Sequence, residues 1–316
     1  MRMVRKSKWR IYIMTKRISE QDTMDIQRDQ CKQCGICIEV CPVKVIGTNQ
    51  DGFTTILSER ESLCLRCGQC MAICPSQAIR IDGLSYEDNL AEIRPFRFDH
   101  DEFTNFLSTR RSVRNITDRS VSNDVIRQIV ESIHYAPFGS HPEKVEITVV
   151  NDRSIIESAL PVISRFLDRI VTMIENPFVS FVVKNMSQRE EFNTVKNHLY
   201  PIAKLGTYKL ENGDRITRGA PAMILFHANQ GAEAHSNNSI IYATYAMLQA
   251  HALGLGATMV EIVPAAINRV KELKNIFRIP ETHDVSMSLV LGYPKYRYKR
   301  SIKRPVQDVH WIGGTS

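Results

Sequence analysis

The sequence predicts an α+β protein in two parts, a small cysteine-rich lobe followed by a larger domain in which helices alternate with buried strands. Three observations predict it. All eight cysteines fall in two copies of one spacing, Cys31-x2-Cys34-x2-Cys37-x3-Cys41-Pro42 and Cys64-x2-Cys67-x2-Cys70-x3-Cys74-Pro75. Long helical periodicities and six-residue apolar runs begin only after the break at Arg94-Pro95. At 316 residues, 43% hydrophobic and 24% charged, the chain has an ordinary globular composition and enough length for two domains.

Residues 1–22 are expected to be a basic tail, with seven Lys/Arg and one Glu in residues 1–21. Its apolar piece Trp9–Met14 is too short for a secretory core. Residues 23–95 form the cysteine lobe. Three thiolates one tight loop apart converge on one centre, and the fourth begins the next element. This is the spacing of bacterial two-cluster ferredoxins, in which the fourth cysteine binds the other cluster. The resemblance assigns Cys31, Cys34, Cys37 and Cys74 to one [4Fe–4S] cluster, and Cys64, Cys67, Cys70 and Cys41 to a second. Pro42 and Pro75 suit a chain turning away. Gly35 and Gly68 stand where backbone must approach inorganic sulfur. Between the cysteine runs, Gly52–Leu57 and Ala78–Ile81 read as short strands, so the lobe is an internal repeat. Disulfides would need an exported protein, and zinc sites would show a longer gap between ligand pairs. Iron-bound thiolates imply a reducing compartment, the cytoplasm.

Residues 96–316 form the second domain. Phe103–Thr109 and Asp124–Tyr135 carry helical periodicity, with Ser122 placed to cap the latter. Val145–Val150, Ala222–His227 and Ser286–Leu291 read as buried strands. Helices are expected near Ile156–Ile174, Asn238–Leu253 and Ala265–Ile276. Residues 151–215 are a long, partly helical insertion. Its aromatics Phe166, Phe178, Phe181 and Tyr200 either roof a pocket or fill a helical core. No apolar run approaches the ~20 residues of a membrane helix. The net charge of +7 is split between the tail and residues 295–304, which hold six Lys/Arg, while residues 22–95 carry −4. No recognition motif accompanies the basic residues, which argues against a nucleic-acid partner.

Four patches in the second domain resemble the nitroreductase family of FMN enzymes, over about residues 96–311. These are Arg110-Arg111-Ser112-Val113-Arg114, Ala136-Pro137-Phe138-Gly139-Ser140, Leu253-Gly254-Leu255-Gly256 leading to Met259-Val260-Glu261, and Leu291-Gly292-Tyr293-Pro294. The resemblance implies a nitroreductase-like α/β sandwich with a central, mainly antiparallel sheet. It also implies that Arg110, Arg111, Ser112 and Arg114 grip the FMN phosphate and ribityl chain, guanidinium forks being suited to phosphate. Pro137, Phe138, Gly139 and Ser140 would lie against the isoalloxazine. Met259, Val260 and Glu261 would pass beneath it, with backbone N–H near Glu261 facing the hydride-accepting N5. A later basic residue, Arg300 or Lys303, would reach the phosphate. Gly254 is expected to end the central helix. The sequence departs from the family at His141-Pro142-Glu143-Lys144-Val145, in place of its common N-x-Q-P-W, so the resemblance does not carry over the side-chain contacts to the flavin pyrimidine edge.

Joining one-electron clusters to a two-electron flavin implies an electron relay from a low-potential donor, such as reduced ferredoxin, to a small organic acceptor. The alternatives are an NAD(P)H-driven nitro or quinone reductase with the clusters as exit, and a non-enzymatic redox carrier or sensor. All cysteines are used, so no covalent catalyst is named; His141, Tyr208 and His235 are candidate proton donors. The stretch Ser236–Gly256 holds no Asp, Glu, Lys or Arg. A helix apolar nearly all round must be covered on every side. Either a second subunit covers it, giving a homodimer, or the insertion folds over it.

Overall fold

A computed structural model of the chain describes residues 24–93, 99–139, 144–178, 181, 193, 196–197, 200–204, 208–304 and 309–313. The basic tail, the break at Arg94-Pro95, Ser140 and His141 lie outside the described residues. The chain divides into two compact units, Met1–Arg97 and Phe98–Ser316.

In the first unit, β1 (Met24–Ile26) pairs antiparallel with β4 (Ile79–Ile81), and β2 (Ile46–Thr48) with β3 (Thr54–Ile56). Helices α1 (Ile36–Val40) and α2 (Gln69–Ile73) follow Gly35 and Gly68, both left-handed at φ 74° and 70°. That backbone, which L side chains avoid, is what requires glycine here. Crowding by protein does not: a Cβ on Gly35 would meet nothing within 4 Å. The repeat extends to the unusual backbone of Gln33 and Arg66 and of Lys44 and Gln77, all at positive φ. Ile26, Ile46, Met71, Ile79 and Ile81 form the small core. Only β3 and β4 were readable as strands; all four are three residues long, and β1 and β2 gain their order from pairing with them across the repeat.

The second unit is built on a four-stranded antiparallel sheet in the order β5-β6-β8-β7, formed by Val145–Val150, Ala222–Asn229, His283–Gly292 and Gly256–Met259. Successive residues of β6 face opposite layers. Ala222, Ile224 and Phe226 join α4 (Asn123–Glu131), the 3₁₀ turn Ser132–Tyr135 and α7 (His235–Ala252). Met223 and Leu225 join α5 (Arg153–Glu175), α8 (Ile262–Ile267) and α9 (Lys271–Ile276). Both faces are covered, which explains why β6 reads as an unbroken apolar run. Each fully buried Leu, Ile or Phe contributes about 1.5–3 kcal/mol. The caps are local: Ser122 Oγ accepts from Val125 N at 3.4 Å, and Asp99 accepts from Glu102 N at 2.7 Å to start α3 (His100–Thr109).

The single helix expected over Ala265–Ile276 is instead two. Asn268 turns its amide onto β8, donating to Val285 O at 2.9 Å and accepting from Val285 N at 2.8 Å. Val270 then becomes extended and α9 starts anew. In the insertion, Phe166 packs half-buried on the core beneath α5, whereas Phe178 and Phe181 are 76% and 66% exposed. The insertion also contains the short α6 (Tyr200–Lys204). Among the described residues, α5 and α7 lie on opposite faces of the sheet, so α5 leaves the outer side of α7 uncovered. No helix among the described residues is long and apolar enough to cross a membrane.

Candidate functional site

The eight thiols gather in two cavities, and the sequence order is crossed between them. Cys31, Cys34, Cys37 and Cys74 line one; Cys41, Cys64, Cys67 and Cys70 line the other. Burial pushes the Cys37 thiol up, and Cys31, Cys34 and Cys74 add to it. Burial, with Cys67 and then Cys64 and Cys41, pushes Cys70 up to about 12. At Cys74 burial raises the pKa, but N–H donors from Ala78 and Ser76 and the Ser76 hydroxyl outweigh it and the net shift is downward. The same N–H···S contacts recur at Val45 N to Cys41 Sγ and Ala78 N to Cys74 Sγ, each 3.3 Å. Four soft donors facing one another cannot ionise together unless a cationic centre sits between them. The donor set therefore fits an iron–sulfur cluster in each cavity.

In the second unit, three of the four family-like patches are drawn together by one extended segment. Residues 110–117 leave α3 and lie along β7. Ser112 bridges Ala257 in parallel, Val113 N donates to Ala257 O at 3.2 Å, and Thr258 Oγ1 donates to Val113 O at 2.6 Å. Further on, Thr117 N donates to Tyr293 O at 2.8 Å. Two glycines permit this approach. A Cβ on Gly256 would come within 2.6 Å of Val113, and one on Gly292 within 2.5 Å of Ile116. Gly254, at φ 77°, ends α7 as expected: its N–H donates to His251 O and the next N–H, of Leu255, to Ala250 O. The second patch is tied to the start of α7, since Gly139 N donates to Asn238 Oδ1 at 2.8 Å and Asn238 Nδ2 to Gly139 O at 2.9 Å.

Arg110 is half-buried, and its guanidinium is pushed down by burial, then by the charges of Arg111 and Arg304. Among the described residues no carboxylate pairs with it. A desolvated cation held beside two others needs an anion, and a phosphate fits that need. Arg300, Lys303 and Arg304 are all exposed, and Arg304 is the member of the basic run whose charge acts on Arg110. The run folds back through Tyr298, whose ring lies 5.1 Å from the Arg111 guanidinium. Sequence reading named Arg300 and Lys303 in this run and did not single out Arg304, because register in KYRYKRSIKR is not fixed locally.

Ser112, Phe138, Met259 and Val260 are half-buried, while Arg114, Pro137, Gly139 and Glu261 are exposed. The Val260 N–H donates to Ser288 O at 3.0 Å, and among the described residues the N–H of Glu261, just before α8, has no such partner. A further cation was not anticipated. Arg218, at φ 64°, is pushed down by burial and by the charges of Arg114 and Arg215, against Tyr208 and Asp214. Asp214 fixes that turn by accepting from Thr217 N at 2.7 Å and Gly219 N at 2.9 Å. Of the candidate proton donors, Tyr208 packs against the α5-side core and His235 Nδ1 lies 2.7 Å from Ala232 O in the turn before α7.

A lobe with its eight thiols in two cavities and an antiparallel sandwich edged by an arginine segment point to a redox protein. The nitroreductase family model matches residues 107–293, more than half of the chain, and a 4Fe-4S dicluster domain model matches residues 30–79. The chain belongs to the nitroreductase family, and is a flavin-dependent oxidoreductase with an iron–sulfur dicluster domain. Comparison with curated proteins finds no match. Among solved structures it is similar to an FMN-bound nitroreductase from Bacteroides fragilis NCTC 9343, at 18% identity and TM-score 0.49, covering 67% of this chain and 99% of that one. A BluB-like flavoprotein from Clostridium difficile 630 is similar at 16% identity and TM-score 0.49, covering 67% and 99%. An FMN-bound nitroreductase from Desulfitobacterium hafniense DCB-2 is similar at 17% identity and TM-score 0.46, covering 66% and 97%.

Proposed function

We propose that the chain takes single electrons from a low-potential donor, reduced ferredoxin or a similar small carrier, and delivers them at FMN to a small organic acceptor such as a nitroaromatic or a quinone. Cys31, Cys34, Cys37 and Cys74 would ligate one [4Fe–4S] cluster, and Cys41, Cys64, Cys67 and Cys70 the other. Clusters exchange one electron at a time and a flavin two, which is the chemistry these groups supply. Arg110, Arg111 and Ser112, joined by Arg304, would bind the FMN phosphate, with Arg114 nearer the ribityl and ring. Pro137, Phe138 and Gly139 would border the ring on one side, and Met259, Val260 and Glu261 on the other. The Glu261 N–H would donate to the reduced ring.

The observation that carries the reading is the sorting of all eight thiols into two four-sulfur cavities within a flavin-family chain. Anaerobic mixing with reduced ferredoxin, NADH and NADPH in turn tests it, with cluster and flavin absorbance followed separately. Reduced ferredoxin should bleach both, and removing Cys70 should slow flavin reduction by that donor at least ten-fold. Direct, rapid bleaching of the flavin by NAD(P)H would reverse the direction of the relay.

A homodimer is the second part of the proposal. Along the outer side of α7, Ile240 is 46% exposed and Ile241 and Thr244 are half-buried, while half-buried Met247 further along accepts a contact from the Arg110 guanidinium at 3.4 Å. A second copy laid on this stripe would be an isologous partner. Light scattering should give twice the 36.1 kDa chain mass. Ile240→Arg, which places a charge in that contact, should halve it.

A further inference from the structure

We propose that Glu146, His227 and His283 form a binding site for one divalent transition-metal ion, zinc being the ion whose preferences they match best. One ligand atom of each residue lies within 4.8 Å of one from each of the others. The three come from three strands of the sandwich. Glu146 of β5 pairs directly with His227 of β6. His283 of β8 pairs with Asn229, two residues along from His227, and the β6–β8 register shifts between Phe226 and His227. With side chains alternating, all three point to the layer that Leu225 and Val285 share. The shifted register there is the kind of irregularity that re-aims a side chain.

Each histidine is fixed from outside. The two rings face one another through Nδ1, at 3.0 Å. His227 Nε2 lies 2.9 Å from the hydroxyl of Thr148, and His283 Nε2 lies 3.8 Å from Glu146 Oε1. The His283 backbone is clamped by Lys274, whose Nζ donates to the His283 and Glu281 carbonyls at 2.6 and 2.9 Å. The Thr148 hydroxyl is for His227 the kind of outer partner that ligating histidines carry, setting ring orientation and tautomer. In a tetrahedral zinc site two nitrogens at the usual bond length are about 3.3 Å apart, so the rings need part by only a few tenths of an ångström. The Glu146 side chain is 58% exposed and free to swing in as the third ligand, leaving a fourth position to water. Two imidazoles and one carboxylate are a nitrogen–oxygen set suited to zinc rather than to calcium or magnesium.

The site stands apart from the flavin. Leu289, the partner of Met259, lies six positions along β8 from His283, which is about 20 Å of strand. An ion there would pin β5, β6 and β8 together rather than take part in electron transfer.

Equilibrium dialysis of the cluster- and flavin-loaded chain against ZnCl2, with zinc and iron counted together by plasma mass spectrometry, tests the proposal. One zinc per chain should bind without loss of iron and should raise the thermal unfolding temperature. Glu146→Gln, at an exposed position that does not threaten folding, should weaken zinc binding at least ten-fold and abolish the thermal shift, leaving iron and flavin content unchanged. His283→Gln should do the same. The proposal fails if the wild-type chain takes up no zinc. It fails equally if both variants bind zinc as tightly as wild type, or if zinc enters only as iron leaves, which would place it at the thiols.

Discussion

Gly256 and Val113 are in direct contact: a methyl group on Gly256 would sit 2.6 Å from the Val113 Cβ and 2.7 Å from its Cγ1. The strand β7 and the arginine segment can run side by side only because one of them has no side chain there. Gly256→Ala should therefore push Arg110–Arg114 away from β7. Overpacking of this kind costs about 1–3 kcal/mol. The expected outcome is a loss of bound flavin and a lower unfolding midpoint in the second unit, with iron per chain unchanged. Flavin and iron counts on the purified variant check it; full flavin occupancy would show that the segment gives way without disturbing the site.

Arg110 and Arg304 should act together on the flavin. Replacing either with Ala removes one charge-assisted contact, about 1.5–3 kcal/mol, or roughly 10- to 150-fold in affinity. Arg300→Ala should change binding less than three-fold, because the field at Arg110 comes from Arg111 and Arg304. Fluorescence titration of flavin-stripped protein with FMN measures all three. Equal losses at Arg300 and Arg304 would relocate the phosphate.

The crossed thiol sets make a prediction about pairs of substitutions. Cys31→Ser and Cys74→Ser lie 43 positions apart but line one cavity. Combined, they should lose no more iron than either alone, about four atoms of eight. Cys31→Ser with Cys70→Ser should lose both clusters. Iron and acid-labile sulfide counts after anaerobic purification distinguish these outcomes, and additive loss in the first pair would undo the crossing.

His251 sets a pH dependence. Its Nε2 lies 3.1 Å from Thr109 Oγ1, and burial, then the charge of Arg110, holds its pKa below the usual 6.5. Below about pH 6.5 the unfolded chain binds a proton here that the folded chain refuses. Stability is therefore lost as pH falls through that window toward the lowered value. His251→Gln should show a shallower loss. Midpoints for the flavin-release transition at pH 7.5, 6.5 and 5.5 test this; parallel profiles for variant and wild type would remove His251 from the account.

Much of this protein could be read in its sequence, and the parts that could share one property. The thiol spacing repeats with a 33-residue offset, Cys31 to Cys64, and each loop is short enough that spacing nearly dictates geometry. The crossed fourth cysteine was expected on resemblance alone, and the cavities place Cys74 with the Cys31 set. Strands β5, β6 and β8, the caps at Ser122 and Gly254 and the arginine segment were likewise visible as local patterns.

What depended on distant partners was not readable. The four-residue β7 was missed as a strand, since its order comes from β8 on one side and Val113 on the other. The break at Asn268 follows from hydrogen bonds to Val285, seventeen positions away, which no propensity reports. Arg304 joins Arg110 across most of the domain. Glu146, His227 and His283 are scattered over three strands and share no motif. The sequence by itself determined the groups whose geometry is set within a loop or a helical turn. The tertiary structure decided the groups brought together by strand register and sheet order, because those contacts are fixed only once the two layers close on the sheet.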